Sequence, residues 1–276
     1  MKKILRKIPG FNYGKKIYYG FDRTRRRIRN ILAPTAHILL YHRVATVKED
    51  PHLLCVSPEN FRAQIKFLKE NFKIIPLVKL VQDVREGKVE KNSIVITFDD
   101  GYVDNLYNAL PILEEFKVPA TIFLTTGYIC PPAPVNPNKA FRWEQNTPTD
   151  DQGRPMAPEE AKRLATSRLI EIGGHTISHP KLAKLPEIEQ FREISESKEI
   201  LEKALNIHLM SFAYPFGSKD SFNKKTVDLV KKAGYHYACA NIHERVTNRS
   251  DIYAMPRFIS RNWDTEEFKV KFKNFI

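Results

Sequence analysis

From residue 36 onward the chain alternates short apolar runs with longer stretches in which apolar positions recur every three or four residues. The runs lie at 37–41, 93–98, 120–125, 169–172, 210–213, 235–240 and 252–258. Several are rich in Val, Ile, Phe and Tyr and predict buried β-strands. Between them, helical periodicity predicts helices near 57–71, 77–86, 102–116, 158–165, 186–205, 222–233 and 265–275. The first opens with Ser57 as a cap and Pro58 in the first turn, and puts Phe61, Ile65 and Leu68 on one face. In 186–205 the shared face carries Phe191, Ile194, Leu201 and Leu205. Seven β-then-α units argue for a parallel sheet covered by helices. Closed on itself, that sheet is a distorted TIM-like (β/α)7 barrel of class α/β, in a single domain. An open doubly wound sheet is the alternative, weakened because no glycine-rich phosphate loop follows the first strand.

Charge divides the chain. The formal net charge is +13, but eleven of the 45 Lys and Arg residues fall in residues 1–30, against the single acid Asp22. Residues 1–35 therefore read as a basic N-terminal arm, and 36–276 as a nearly neutral globular domain. The arm lacks the apolar core of a signal peptide, because Ile4-Leu5 is followed at once by Arg6-Lys7. No later run approaches the length that spans a bilayer. Its mixture of aromatics and cations suits either an anionic membrane surface or a solvated tail. No nucleic-acid recognition motif accompanies the charge, so nucleic acid is not an expected partner. Cys55, Cys130 and Cys239 form no disulfide or metal pattern, which fits a reducing compartment. The expected location is cytoplasmic, with the arm a candidate contact to the inner membrane face. Seven of the 18 prolines lie between Pro131 and Pro158, marking a loop insertion at about 130–158.

Polar residues collect at the ends of the strands, where β/α barrels place their active sites. These are His42, Asp99-Asp100, His175, Tyr214-Pro215-Phe216-Gly217 and Arg257. In Thr97-Phe98-Asp99-Asp100-Gly101, adjacent carboxylates point in different directions where a strand leaves the sheet, so one can bind metal while the other handles a proton. Alone, the same residues also read as a turn with a helix-capping Asp. His175 and His179 lie four apart and share a face if the segment is helical; a chance surface pair is the other reading. Two imidazoles and one carboxylate suit Zn2+, with Co2+, Ni2+ or Mn2+ also compatible.

In this order, T-F-D-D-G, H-T-x-x-H and Y-P-F-G resemble the NodB-homology polysaccharide deacetylases, carbohydrate esterase family 4. Glu171-Ile172-Gly173-Gly174, His179-Pro180 with Leu182, and Ala233-Gly234-Tyr235 are similar too, and the resemblance spans about 36–270. It implies a metal held by Asp100, His175 and His179, with Asp99 as catalytic base. The Phe216 N–H would meet oxyanion charge, where the family usually has Tyr. Tyr214 and Pro215 would border the substrate, and Trp143 in the proline-rich loop is a candidate platform for a sugar ring. Thr176 and Ser178 would fix the loop.

Two departures stand out. The family often carries an Arg where this chain has Ala213, and Arg257 is the candidate replacement that orients the base. The family's late general-acid His is missing, since no His follows His243. Leu40-Tyr41-His42 resembles the branch that moves the acid to the N-terminal side and acts on exported and surface polysaccharides, so His42 is the candidate acid. His37, His52, His208, His236 and His243 read as structural or surface residues. The implied activity is removal of N-acetyl groups from an N-acetylhexosamine in a glycan or lipid-linked sugar. An O-acetyl esterase, another C–N hydrolase, and a non-catalytic glycan-binding barrel are the alternatives.

Overall fold

In the computed structural model, residues 34–129 and 153–275 are described. The basic arm, Cys130, Trp143 and most of the proline-rich loop lie outside the described residues. Strands β1 (Ala36–Tyr41), β5 (Ser93–Phe98), β6 (Ala120–Leu124), β7 (Ile170–Gly174), β8 (Ser211–Ala213) and β9 (Tyr237–Cys239) lie side by side in that order. Strand β10 (Phe258–Ile259) returns to pair with β1, and all these pairings are parallel. Two-residue β4 (Lys73–Ile74) pairs with the start of β5, and β2 (Arg43–Val44) pairs with β3 (Cys55–Val56) beside the rim. The helices are α1 (Pro58–Asn71), α2 (Leu77–Glu86), α3 (Leu110–Phe116), α4 (Thr126–Ile129), α5 (Pro158–Ala165), α6 (Glu187–Leu205), α7 (Lys224–Lys232) and α8 (Thr265–Phe275). This is the distorted seven-stranded β/α barrel.

Its distortion sits at the seam between β9 and β10. The run 252–258 is not one strand. The Asp251 side chain and carbonyl accept from the N–H groups of Tyr253 and Ala254, forming a turn, and Pro256 has no N–H to give. The segment instead exchanges bonds with β9 first, through Met255 N to Ala238 O at 2.9 Å and Ala240 N to Met255 O at 2.9 Å. It then reaches β1, where Ser260 N donates to Leu40 O at 2.9 Å. One irregular segment thus bridges the two edge strands, and Arg257 sits in the middle of it.

Side-chain alternation along the strands divides the apolar residues into two clusters. Leu39, Ile94, Ile96, Ile122, Leu124 and Phe212 face the helices and meet Phe61, Ile65, Leu68, Ile194 and Leu201. Ile38, Val95, Phe123, Tyr237 and Cys239 pack with Leu77, Leu80, Val81 and Val84 of α2. Gly173 makes room for the Phe123 ring: a Cβ there would lie 2.4 Å from Phe123 Cδ1. The Ser57 hydroxyl caps α1 by accepting from Asn60 N at 3.2 Å, as its sequence signal predicts.

The stretch 102–116 is not one continuous α-helix. Its first half, Asn105–Ala109, is a π-turn, in which Leu110 N donates to Asn105 O. Pro111 follows immediately and cannot donate to the preceding turn, so the widened turn absorbs the mismatch. Among the described residues no helix is long and apolar enough to cross a membrane.

Candidate active site

At the end of β5 the chain turns sharply. Asp99 N still donates to Tyr41 O at 3.1 Å, but Asp100 and Gly101 take φ of 74° and 87°, and Gly101 N bonds back to Asp99 O at 3.0 Å. A left-handed conformation is uncommon for a residue with a side chain, though Asp is among those that tolerate it. Its effect is to send the two carboxylates to different partners, Asp99 to Arg257 and Asp100 to the two histidines.

His175 continues from β7, its N–H donating to Leu124 O at 3.0 Å. Its Nδ1 lies 2.7 Å from Ala213 O, so in the neutral ring the proton sits on Nδ1 and the Nε2 lone pair faces Asp100. The segment to His179 is not helical, contrary to the condition set for a shared helix face. Thr176 and His179 have φ of 66° and 60°, and Thr176 Oγ1 accepts from His179 N at 3.1 Å. A tight turn brings the two rings to 4.9 Å instead.

The result is a converging donor set. Asp100 Oδ1 lies 3.5 Å from His175 Nε2 and 3.4 Å from His179 Nε2. One ligand atom from each of the three residues falls within 4.8 Å of the others. Asp100 Oδ1 is buried and receives no hydrogen bond. A buried carboxylate oxygen left without a donor is costly, and a cation among the three atoms would satisfy it. The donor set therefore fits a divalent metal.

Beside it, Asp99 is held by a second device. The Arg257 guanidinium donates to both Asp99 oxygens at 2.7 Å, and both side chains are almost fully buried. The remaining guanidinium N–H groups go to Asn241 Oδ1 at 2.8 Å, Thr97 Oγ1 at 3.3 Å and Ala240 O at 3.4 Å. Every donor of the fork is used, which fixes the carboxylate's orientation. Burial alone would raise the Asp99 pKa, but Arg257, His175 and His42 outweigh it and hold the group below the usual carboxylate range. Asp100 likewise falls to about 2, burial being overcome by the neighbouring histidines. Both are carboxylates at neutral pH.

The sequence pattern that defines the polysaccharide deacetylases matches residues 86–238, which include both carboxylates, both histidines and the 214–217 turn. The chain belongs to the polysaccharide deacetylase family. It is a hydrolase, a deacetylase of glycans. A poly-beta-1,6-N-acetyl-D-glucosamine N-deacetylase of Staphylococcus aureus (strain MSSA476) is 29% identical over 213 residues, covering 74% of this chain and 67% of that protein. Two solved structures share the fold. The Streptococcus pyogenes deacetylase PplD, in complex with acetate, superposes with a TM-score of 0.69 at 20% identity, over 87% of this chain and 98% of that one. IcaB from Ammonifex degensii gives 0.68 at 19% identity, over 88% and 97%.

The other expected site residues of this deacetylase are placed unevenly. His42 follows β1, half-buried, with its carbonyl accepting from Asn105 Nδ2 of the π-turn at 2.8 Å. Burial lowers its pKa, with Asp100 and Asp99 opposing and Arg257 and His175 reinforcing the shift. Phe216 has φ of 61°, and its ring packs against His179 at 4.8 Å. Its N–H donates to no other group among the described residues. Gly217 follows with φ of 60° and packs so closely that a Cβ would meet Asn241 N at 2.4 Å.

Tyr214 opens the 214–217 turn. Its side chain is fully buried, its ring stacks on Phe222 at 4.1 Å, and its hydroxyl donates to Tyr253 O at 2.9 Å. Pro215 is buried as well. Trp143 lies outside the described residues. Asn241 was not foreseen. Its Oδ1 accepts from Arg257 and its Nδ2 donates to Phe216 O at 2.8 Å, so one side chain ties the partner of Asp99 to the 214–217 turn. A lone Asn after a strand carries no signal for this in the sequence.

Proposed function

We propose that this chain is a divalent-metal-dependent N-deacetylase. It hydrolyses the acetamide of an N-acetylhexosamine in a polysaccharide, lipopolysaccharide or lipid-linked sugar, giving a free amine and acetate. The observation that carries the reading is the convergence of Asp100, His175 and His179 on one point beside an Arg-locked Asp99. Zn2+ suits this donor set best, with Co2+, Ni2+ and Mn2+ compatible. When bound, the metal supplies Lewis acidity toward the acetyl carbonyl and lowers the pKa of water.

The chain's own residues do the rest. Asp99 takes the proton from the attacking water, with Arg257 holding its oxygens in place. The Phe216 N–H, which donates to no group among the described residues, donates to the carbonyl oxygen as negative charge develops there. His42 gives a proton to the amide nitrogen as the C–N bond breaks, so the sugar leaves as a neutral amine. The name of the staphylococcal relative supports an amide over an ester as the scissile bond.

The test measures acetate release from N-acetylated and O-acetylated oligosaccharides by the wild type and His42→Ala. The reading expects release from the N-acetylated set. His42→Ala should lower it by about 10²–10⁴-fold with metal content unchanged. Release from the O-acetylated set alone would establish an esterase instead, and full activity in His42→Ala would remove the acid assignment.

A further inference from the structure

Between the two histidines, the turn is gripped from outside by a residue to which no role has been given so far. Glu193 lies on α6, next to the buried Ile194 that anchors the helix to the barrel. Its Oε2 accepts from Ile177 N and from Ser178 N, each at 2.9 Å, and its Oε1 accepts from the Ser178 hydroxyl at 2.7 Å. Glu193 forms no ion pair among the described residues, so its acceptor capacity is directed to this turn. On the opposite side the turn's carbonyls are bound as well: Thr126 N donates to Thr176 O at 3.0 Å and Gly127 N to Ile177 O at 2.9 Å. The two central peptide groups, 176–177 and 177–178, are thus held at both ends.

The need for such a grip is visible in the backbone. Thr176 and His179 both occupy the left-handed region, which a free chain with side chains at these positions rarely visits. Without outside partners the turn would relax toward commoner conformations and swing His179 away from Asp100. His175 is less exposed to this, since its ring is pinned separately by Ala213 O.

We propose that Glu193 is a positioning residue for the metal centre, fixing the 176–179 turn so that His179 Nε2 points at the site shared with Asp100 and His175. This rests on the reading of those three residues as metal ligands. Partners one step removed from a metal typically change affinity by about 10–100-fold when lost. Gln at this position keeps an oxygen for the two N–H groups and an amide that can donate to the Ser178 oxygen. Ala keeps nothing.

The experiment loads wild type, Glu193→Ala, Glu193→Gln and His179→Ala with Zn2+ and measures stoichiometry and affinity by chelator competition, well below each protein's melting temperature. Thermal melts of the metal-free proteins run alongside. Glu193→Ala is expected to bind Zn2+ about 10–100-fold more weakly, and Glu193→Gln to recover most of the loss. If Glu193→Ala does not fold, Glu193→Gln and Ser178→Ala decide. Gln should stay near wild type, and Ser178→Ala, which removes one bond of three, should weaken binding measurably but less than a ligand loss. Wild-type affinity in Glu193→Ala or in Ser178→Ala, or no recovery in Glu193→Gln, overturns the assignment while leaving the metal centre standing. A wild type that binds Zn2+ no better than His179→Ala overturns the metal centre, and this inference with it.

Discussion

Asp99→Asn is expected to lose turnover by about 10²–10⁴-fold while still binding one metal per chain. The substitution is nearly isosteric, so it changes chemistry more than shape. An amide cannot accept the proton released when water attacks. Asp99 also stands apart from the cluster of Asp100, His175 and His179: its nearest approach to His175 Nε2 is 4.0 Å, and it pairs with Arg257. The variant leaves Arg257 buried without its counter-charge, so its fold should be checked by circular dichroism beside the assay of acetate release. Turnover near wild type would remove Asp99 as the base. Loss of metal together with activity would place it among the ligands.

Arg257→Met is expected to destabilise the protein by about 3–5 kcal/mol at neutral pH, because it leaves a buried carboxylate without its partner. The pH dependence distinguishes this from simple loss of packing. In the wild type the folded-state pKa of Asp99 lies below its ordinary value of 3.8. The ion pair's contribution is therefore fully present above about 3.8 and is lost as pH falls through the lower folded value. In the variant, burial acts on Asp99 without the guanidinium and pushes its pKa up. Its stability deficit should then be largest at neutral pH and shrink as the medium is acidified toward the carboxylate range. Urea denaturation of both proteins at neutral and acidic pH reads the difference. A deficit that does not change with pH would mean that Arg257 acts through its bulk rather than its charge.

Much of the barrel was readable in the sequence because parallel strands covered on both faces appear as unbroken apolar runs. β1, β5 and β6 show this plainly, all their residues being buried. The reading failed where a few residues outweigh the general pattern. Pro256 and the Asp251 turn break the run at 252–258 into a bridge across the seam, and Pro111 converts half of a helix into a π-turn. Two-residue strands such as β2, β3 and β4 are too short to leave a period.

The site was legible in its parts and not in its geometry. Sequence spacing places His175 and His179 near one another under a helix, yet the chain achieves it with two left-handed residues. The Tyr214 side chain belongs to a motif but points into the core, because motif membership does not say which way a side chain turns. Asn241 and Glu193 are single polar residues remote from every motif. Only the fold brings them to the turns they hold.

Asp100, His175 and His179 are expected to share one cation. Crystals grown with Zn2+ and measured on both sides of its absorption edge test it directly. A single anomalous peak is expected about 2.0–2.2 Å from an Asp100 oxygen and from both Nε2 atoms. A well-diffracting crystal at saturating Zn2+ with no peak there, or with its strongest peak on other residues, would contradict it.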